Sequence, residues 1–265
     1  MAPISNTVAL SGEPTLTLLH GFTNTSETWG TFRTHLAQAY GVKALDLPGH
    51  GENHAVRQNL RDAAHALAIS LDEPTVLIGY SLGGRVALHC ALEQPRNLRG
   101  LVLLGATAGI EDDDERATRR QSDELLAANL RESNNLEAFL KKWLDGPLFS
   151  RLSEDQRQLK GRLRNTVEGL SSSLELMGVG TQASLWGELH RLSVPTLIVA
   201  GDEDEKFTAL GLRLAGAISK ARFVGIAGAG HTVHVEQPEL TAQVVLRFVE
   251  ELSLQAVSGP DDETS

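Results

Sequence analysis

The stretch Gly79-Tyr80-Ser81-Leu82-Gly83-Gly84-Arg85 contains a Gly-x-Ser-x-Gly motif between two segments of different character. The β-branched, apolar run 75–78 before it is typical of a buried strand, whereas residues 86–92 after it are helix formers at helical spacing. A sharp strand-to-helix turn here presents the hydroxyl of Ser81 at the top of a sheet, and the glycines allow close backbone approach in a strained turn. The amide of Leu82, at the helix start, can then point toward a developing anion.

Short apolar runs alternate with helical segments along much of the chain. The predicted strands besides 75–78 are residues 15–19, 42–47, 101–105, 196–200 and 222–226, and predicted helices between them include 27–40 and 60–71. Buried runs separated by helices indicate a mostly parallel sheet covered on both faces, which is an α/β fold.

The interval between residues 106 and 194 interrupts this alternation, because it contains helix formers and no convincing strand. Its predicted helices are 114–130, 135–144, 153–164 and 171–185. We therefore predict an α/β core made of residues 1–106 and 194–258 and a helical cap, residues 107–193, inserted over the carboxyl ends of the strands. Residues 259–265 are predicted to be a disordered tail.

Charge and cysteine content narrow the classes of partner. The net charge of −10 argues against a nucleic-acid or anionic-membrane surface, so an anionic ligand needs a local cluster of arginines. The single cysteine, Cys90, cannot form an internal disulfide and is predicted to be a small core residue, which fits the reducing cytoplasm. The N-terminal residues do not resemble a signal peptide, and no apolar run reaches membrane-spanning length. The sequence predicts a soluble cytoplasmic protein.

A serine on such a turn needs a base and a carboxylate that orients the base, in the chain order Ser, acid, His. His231, in a glycine-rich loop after the last predicted strand, is the predicted base, since His20 and His50 precede the serine. His234 is predicted to lie at the surface or against the cap. The run 228–230 lacks the third glycine and the early position of a dinucleotide fingerprint, so it predicts no cofactor site.

The orienting carboxylate should follow the strand that ends near residue 201. Residue chemistry alone leaves four candidates there, Asp202, Glu203, Asp204 and Glu205. The loop must travel a few residues to reach beneath the imidazole, and this favours Asp204 over Asp202. The second amide of an oxyanion hole is predicted at Phe22, which follows the first strand, together with the amide of Leu82.

Seven segments carry a more specific signal: residues 20–22, 46–51, 79–85, 116–123 (RATRRQSD), 143–149 (WLDGPLF), 201–207 and 228–231. Together they resemble the 2-succinyl-6-hydroxy-2,4-cyclohexadiene-1-carboxylate synthase family of menaquinone biosynthesis, within the α/β-hydrolase superfamily. The resemblance covers nearly the whole chain and supports Asp204, because the Lys-Phe pair of that family closely follows the acid. The segment 52–54, Glu-Asn-His, departs from the small residues usual there.

The resemblance implies an elimination, in which a ring proton is removed, electrons shift and pyruvate leaves, with no cofactor or metal. The substrate is a small polycarboxylate, and the resemblance assigns its binding to Tyr80, Arg85, Arg119, Trp143 and Arg164. Arginine suits this role because its planar fork binds carboxylates bidentately and keeps its proton.

Other arginines of the cap, Arg116, Arg120 and Arg131, are predicted to lie on solvated helix faces. A serine hydrolase of the same fold, either a carbon–carbon hydrolase or an esterase, and a hydrolase-like ligand-binding protein are the alternatives. The separately placed arginines favour a polyanionic substrate over simple esters. We expect a monomer that binds neither nucleic acid nor membrane.

Overall fold

A six-stranded parallel sheet forms the centre of the computed structural model, which describes residues 13–257. The strands are β1 (Thr15–Leu19), β2 (Val42–Leu45), β3 (Thr75–Tyr80), β4 (Leu98–Leu104), β5 (Thr196–Gly201) and β6 (Ala221–Ile226). Their order in the sheet is β2-β1-β3-β4-β5-β6, and every neighbouring pair is parallel. This confirms the predicted α/β fold. The predicted tail at 259–265 lies outside the described residues.

Helices connect these strands and cover both faces of the sheet. They are α1 (Gly30–Leu36), α2 (Leu60–Ser70), α3 (Leu82–Leu92), α4 (Asp113–Ser133), α5 (Leu136–Leu144), α6 (Glu154–Arg157), α7 (Leu159–Arg162), α8 (Val167–Met177), α9 (Glu205–Ala217), α10 (Val233–Glu236) and α11 (Pro238–Val257). Short 3-10 turns lie at Gly51–Asn53, Pro147–Phe149 and Leu189–Arg191.

The two-residue period of the strands divides the core into two layers. Leu16 and Leu18 of β1 face the layer that contains α1 and α11, where they pack with Trp29 and Phe32. Leu19, one residue on, faces the layer that contains α2, α3 and α9. Because the sheet is buried on both faces, its central strands are continuous apolar runs rather than alternating ones.

The chain reverses its direction of travel across the sheet at β1. It leaves β1 to form β2 on one side and returns to form β3 on the other. In open parallel sheets, ligands bind at the carboxyl ends of the strands at such a switch point. The segments carrying Phe22 and Ser81 follow β1 and β3 respectively, so the fold places both at this crevice.

Between β4 and β5 the described chain forms five helices and no strand. Helices α4 and α8 pack along each other, and Leu130, Leu140 and Leu170 form a small separate cluster. These helices agree with the predicted helical insertion, although its exact boundaries stay a prediction.

Two predicted helices in this interval have different bounds. The segment 153–164 is broken into α6 and α7, because Gln158 adopts a left-handed conformation with φ 50°. The helix predicted at 171–185 begins earlier, at Val167, where the Thr166 side chain accepts from the amide of Gly169. It ends at Met177 because Gly178 leaves the helical conformation.

Buried side chains account for the remaining predictions about single residues. Cys90 is buried in the core on α3, as predicted. The prediction that His234 lies at the surface or against the cap is wrong: it is 1% exposed, between the rings of Trp29, Phe32 and Tyr80. The reason is that α10 folds back onto α1 directly after the loop of His231. In the described range, no helix has the length and apolarity needed to cross a bilayer.

Candidate active site

Ser81 occupies a strained turn between β3 and α3. Its φ of 50° and ψ of −106° are rare for a residue with a side chain, and its amide donates to the carbonyl of Leu104 at 2.9 Å. A Cβ atom at Gly83 would overlap the carbonyl of Leu19, so glycine is required where α3 approaches β1. The turn therefore holds the Ser81 hydroxyl at the carboxyl edge of the sheet.

His231 is fixed by its loop and by two packed neighbours. The amides of Gly230 and Thr232, on either side of it, donate to the carboxylate of Glu236 at 2.7 and 3.0 Å. Its imidazole lies 4.3 Å from the ring of Phe207, centroid to centroid, and against Gly105 at the end of β4. The ring is 4% exposed, yet it borders the same cavity as Ser81.

Asp204 is the carboxylate that the structure brings to this imidazole. Its Oδ2 lies 3.0 Å from His231 Nδ1, and its Oδ1 accepts from the amide of Phe207 at 3.1 Å. Burial raises the pKa of the Asp204 carboxyl, but the hydrogen bonds from His231 and Phe207 outweigh burial and hold that pKa below its ordinary value. Asp204 is therefore an anion that can orient His231 and stabilise its protonated form.

The other three candidate carboxylates point elsewhere. Asp202 accepts from the amide of Gly228 at 2.8 Å and so ties the two loops together at the surface. Glu203 and Glu205 are exposed. Asp46, which precedes the serine, accepts from the amides of Ser26 and Glu52 and stabilises the turn after β2.

Two backbone amides are available beside Ser81. Leu82 is the first residue of α3, so its N–H has no partner within the helix. The N–H of Phe22 also donates to no acceptor in the described part of the chain. Both residues line the cavity next to Ser81. These are the two amides predicted for the oxyanion hole, and that role stays a prediction.

A cavity of about 800 Å³ opens above these groups, between the sheet edge and the helices that follow β4. Ser81 and His231 lie in its wall, and its cationic side chains are Arg85, Arg119, Lys206 and Arg213. Carboxylates also reach it, and two of them are paired with these cations: Asp123 with Arg119 at 2.9 Å and Glu111 with Arg213 at 2.6 Å. In the described chain Arg85 and Lys206 form no salt bridge, although the charge of Asp123 acts on Arg85 and that of Asp204 on Lys206.

Of these four cations, Arg85 is the nearest in sequence to the turn that carries Ser81, called the elbow below. It is also the most deeply buried of the four. It lies on α3, is 8% exposed, and donates from Nη1 to Oε1 of Gln182 at 3.2 Å. Burial lowers the pKa of its guanidinium and the charge of Arg119 lowers it further, while the charge of Asp123 offsets only part of this shift. An anion that enters the cavity would relieve this penalty. Arg85 is thus suited to bind a carboxylate.

No group of three or more His, Cys, Asp or Glu side chains suited to hold a metal ion occurs in residues 13–257.

Residues 18–244 match the Alpha/beta hydrolase family. The putative 2-succinyl-6-hydroxy-2,4-cyclohexadiene-1-carboxylate synthase of Bacillus subtilis (strain 168) is 38% identical over 244 residues, which are 87% of this chain and 88% of that protein. The chain belongs to this synthase family. The synthase of Salmonella agona (strain SL483) is 34% identical over 86% of this chain and 90% of its own.

Solved structures agree with the synthase family. The structure of MenH from S. aureus superposes with a TM-score of 0.86 at 31% identity and covers 92% of this chain and 97% of that one. A thermophilic esterase from Thermogutta terrifontis has a TM-score of 0.76 over 92% of each chain, but at 24% identity it shows the fold alone.

The substrate-binding residues implied by the synthase family are only partly at the cavity. Arg85, Arg119 and Trp143 line it. Trp143 also borders a second, apolar cavity of about 320 Å³. Tyr80 is buried behind the elbow, with its ring 5.4 Å from that of His231, and supports the imidazole from below.

Arg164 is not brought to the cavity. It lies on the surface and pairs with Glu27 and Glu52. The physical reason is the segment 52–54, where the chain departs from the family pattern: Glu52 supplies one of the two carboxylates that hold Arg164 outside. Arg120 is exposed and pairs with Glu124, as predicted for a solvated helix face. Arg116 and Arg131 are half-buried: Arg116 pairs with Asp113, and Arg131 joins α4 to α8 through Glu168 and Glu175.

Sequence reasoning missed several residues at or beside the site. The sequence marks Lys206 only as part of a motif and gives no sign of Gln182, Arg213, Arg162 or Asn165. Arg162 and Asn165 are buried, although their segment resembles a polar, exposed helix. No local pattern marks them, because their burial depends on contacts with residues more than a hundred positions away.

Proposed function

We propose that this chain is a carbon–oxygen lyase of menaquinone biosynthesis. It eliminates pyruvate from 2-succinyl-5-enolpyruvyl-6-hydroxy-3-cyclohexene-1-carboxylate to give 2-succinyl-6-hydroxy-2,4-cyclohexadiene-1-carboxylate. Kinship with the synthases of Bacillus subtilis and Salmonella supports the reaction. The observation that carries the proposal is Arg85, a buried cation that forms no salt bridge with a carboxylate in the described chain, in the same cavity as Ser81 and His231.

Substrate binding follows from the charges of the cavity. The substrate bears several carboxylates, and a protein of net charge −10 must supply cations locally to hold them. Arg85 offers a buried guanidinium in the cavity that Ser81 lines, and Arg119, which is exposed on α4, offers a second positive charge. Lys206, which is exposed, adds a positive charge to the cavity wall near the loop of Asp204. These groups orient the substrate ring above Ser81. Such orientation raises the reaction rate more than binding alone does.

The triad then supplies a base. His231 accepts the proton of the Ser81 hydroxyl, and Asp204 stabilises the resulting imidazolium through Nδ1. The serine oxygen removes a ring proton, and the C–H electron pair moves through the ring as a new double bond forms. The bond from the ring to the enolpyruvyl oxygen breaks, and pyruvate leaves as its enolate. The proton of the His231 imidazolium then passes, directly or through water, to the enolate carbon, which returns Ser81 and His231 to their starting protonation states.

Charge that develops during this step needs stabilisation. The amides of Phe22 and Leu82 can donate to the serine oxygen or to an oxygen of the substrate as it becomes negative. Such donors act without reorganisation, because the turn of Ser81 and the loop after β1 already hold them in place. No step in this scheme requires a cofactor.

The test is a direct assay of the purified protein with the enolpyruvyl substrate. Pyruvate is followed by a coupled reduction, and the conjugated diene is followed by its ultraviolet absorbance. We expect pyruvate and diene in equal amounts, and little turnover of a panel of simple esters. Ester hydrolysis without diene formation would instead favour a serine hydrolase.

The proposal includes the setting of the enzyme. We propose that it works as a monomer in the cytoplasm on a small polycarboxylate, and that it binds neither nucleic acid nor membrane. The acidic net charge and the single buried cysteine support this. Sedimentation of the purified protein at several concentrations tests the oligomeric state.

A further inference from the structure

Thr23, directly after the oxyanion residue Phe22, has an unusual backbone. Its φ is 66°, in the left-handed region, and its side chain is completely buried. A β-branched residue adopts this conformation only where the surrounding structure imposes it. The contacts of Thr23 therefore help to fix the loop that also carries the N–H of Phe22.

Two side chains from the segment after α6 hold Thr23. The Nη1 of Arg162 donates to the hydroxyl of Thr23, and the Nδ2 of Asn165 donates to its carbonyl at 2.8 Å. Asn165 is itself fully engaged, because its Nδ2 also donates to the carbonyl of Arg162 at 2.9 Å and its Oδ1 accepts from the amide of Gly51 at 3.0 Å. This segment is thus tied to both loops that follow β1 and β2.

Arg162 is a buried positive charge, and its desolvation opposes folding. It is 2% exposed, and burial lowers the pKa of its guanidinium. Its Nε donates to the carbonyl of Arg157, yet no carboxylate in residues 13–257 pairs with it. A residue that served packing alone would not need a charge here, whereas a charged donor makes a stronger hydrogen bond to the Thr23 hydroxyl.

We propose that Arg162 and Asn165 are positioning residues that hold Thr23 in its left-handed conformation and thereby aim the Phe22 amide at the reacting oxygen. The inference rests on the proposed function for its kinetic consequence. Arg162 is not among the residues that line the cavity, so its role differs from that of Arg85. Through these two residues, the segment between β4 and β5 would help to position an oxyanion-hole amide that belongs to the α/β core.

The central experiment compares Thr23→Val with Thr23→Ser in the full chain. Valine keeps the shape and the β-branch but removes the hydroxyl, whereas serine keeps the hydroxyl that accepts from Arg162. Since one misplaced oxyanion donor lowers the rate strongly, we expect kcat for pyruvate release to fall about 10- to 100-fold in Thr23→Val with KM within about threefold of wild type. Thr23→Ser should recover most of the rate.

Arg162→Met and Arg162→Lys give a second, independent pair. The methionine variant should show the same loss in kcat, and lysine should restore part of it. Lys160→Met, which removes an exposed cation from the same short helix, should behave as wild type. If Arg162→Met does not fold, Thr23→Val still decides, because it leaves the buried cation and the packing volume in place.

A spectroscopic readout separates this inference from the proposed function. Protein labelled with ¹⁵N-phenylalanine gives a simple spectrum, because the chain has seven phenylalanines. The Phe22 amide resonance should shift in Thr23→Val and return toward its wild-type position in Thr23→Ser. Wild-type protein that releases no pyruvate would defeat the proposed function without touching this result. An unmoved Phe22 resonance, an unchanged kcat in folded Thr23→Val, or a loss confined to KM would each overturn the positioning role.

Discussion

Nδ1 of His231 lies 3.0 Å from Oδ2 of Asp204, although the two residues are 27 positions apart. They meet because β5 and β6 are parallel neighbours, so the loops that follow them leave the same edge of the sheet. A Cβ atom at Gly201 would overlap the carbonyls of residues 229 and 230, which shows how closely these two loops pack. The orientation of the His231 imidazole therefore depends on the parallel pairing of β5 and β6 and on the close packing of the loops that follow them.

The first prediction concerns the triad as one proton-transfer unit. Ser81→Ala, His231→Ala and Asp204→Asn should each lower kcat for pyruvate release by at least about 100-fold, because each removes a group on which the other two depend. Steady-state kinetics with circular dichroism as a check of folding measures this.

Asp202→Asn is the matched control for the acid. The asparagine keeps an oxygen that accepts from the Gly228 amide, so the loop stays anchored and the loss should be less than about threefold. A crippled Asp202→Asn beside an active Asp204→Asn would contradict the assignment of the acid.

The fold could be predicted from the sequence because it depends on local patterns. Chain order led to the predicted triad, of which the structure shows the contact between His231 and Asp204. The strand before Ser81, the helix after it and the order of Ser81, Asp204 and His231 are written in neighbouring residues and in chain order. His234 could not be placed this way, since its burial arises from α10 packing on α1. The pattern of a lone histidine near a catalytic loop is the same for a buried and an exposed side chain.

The arginines show where family resemblance reaches its limit. Arg85 follows the elbow directly, and its helix fixes its direction, so its place in the cavity was predictable. Arg162 and Arg164 are two positions apart on a short helix and its end, yet one is buried and the other pairs with Glu27 and Glu52. Only the docking of this segment on the loops after β1 and β2 decides between them.

The second prediction is that Arg85 and Arg119 hold carboxylates of the substrate. Arg85→Met should raise KM by about 10- to 100-fold, corresponding to about 1.5–3 kcal/mol for a lost charge-assisted contact. Arg119→Met should have a smaller effect, because Arg119 is about half exposed and already pairs with Asp123. The measurement is KM for the enolpyruvyl substrate and inhibition by succinate.

Two neighbouring arginines serve as controls. Arg120 makes the same kind of i,i+4 pair, with Glu124, but outside the cavity, and Arg120→Met should leave KM unchanged. Arg164→Met tests the family resemblance against the geometry, and the structure predicts a change in KM of less than about threefold. A large KM increase in Arg164→Met would mean that the loop at Glu52 rearranges when substrate binds.

The third prediction is a loss of stability in mild acid. Burial lowers the pKa of His234 to about 3, that of His50 to about 3 and that of His20 to about 4, against 6.5 in the unfolded chain. Below pH 6.5 the unfolded chain binds protons that the folded chain excludes. The free energy of unfolding should therefore fall as pH decreases, by up to about 1.4 kcal/mol per pH unit for each histidine.

Urea unfolding between pH 6.5 and 5 measures this slope. His234→Phe suits the surrounding aromatic rings and should reduce the slope by the share of one histidine. Equal slopes in wild type and His234→Phe would show that His234 is not excluded from protonation in the folded chain.

The fourth prediction is that Ser81 acts as a base and forms no covalent bond to the substrate. A hydrolase serine attacks a carbonyl and passes through an acyl-enzyme, whereas an elimination needs only a strong base beside an acidic C–H. His231 and Asp204 can deliver that base, and the amides of Phe22 and Leu82 can stabilise the charge it creates. Intact-protein mass spectrometry of enzyme quenched during turnover should therefore find no adduct on Ser81.

A deuterium isotope effect gives a second test. Substrate deuterated at the abstracted ring position should react more slowly in single-turnover experiments, because that C–H bond breaks in the chemical step. An ester trapped on Ser81 at a rate that matches turnover, together with no isotope effect, would make the serine a nucleophile and return the reaction to hydrolysis.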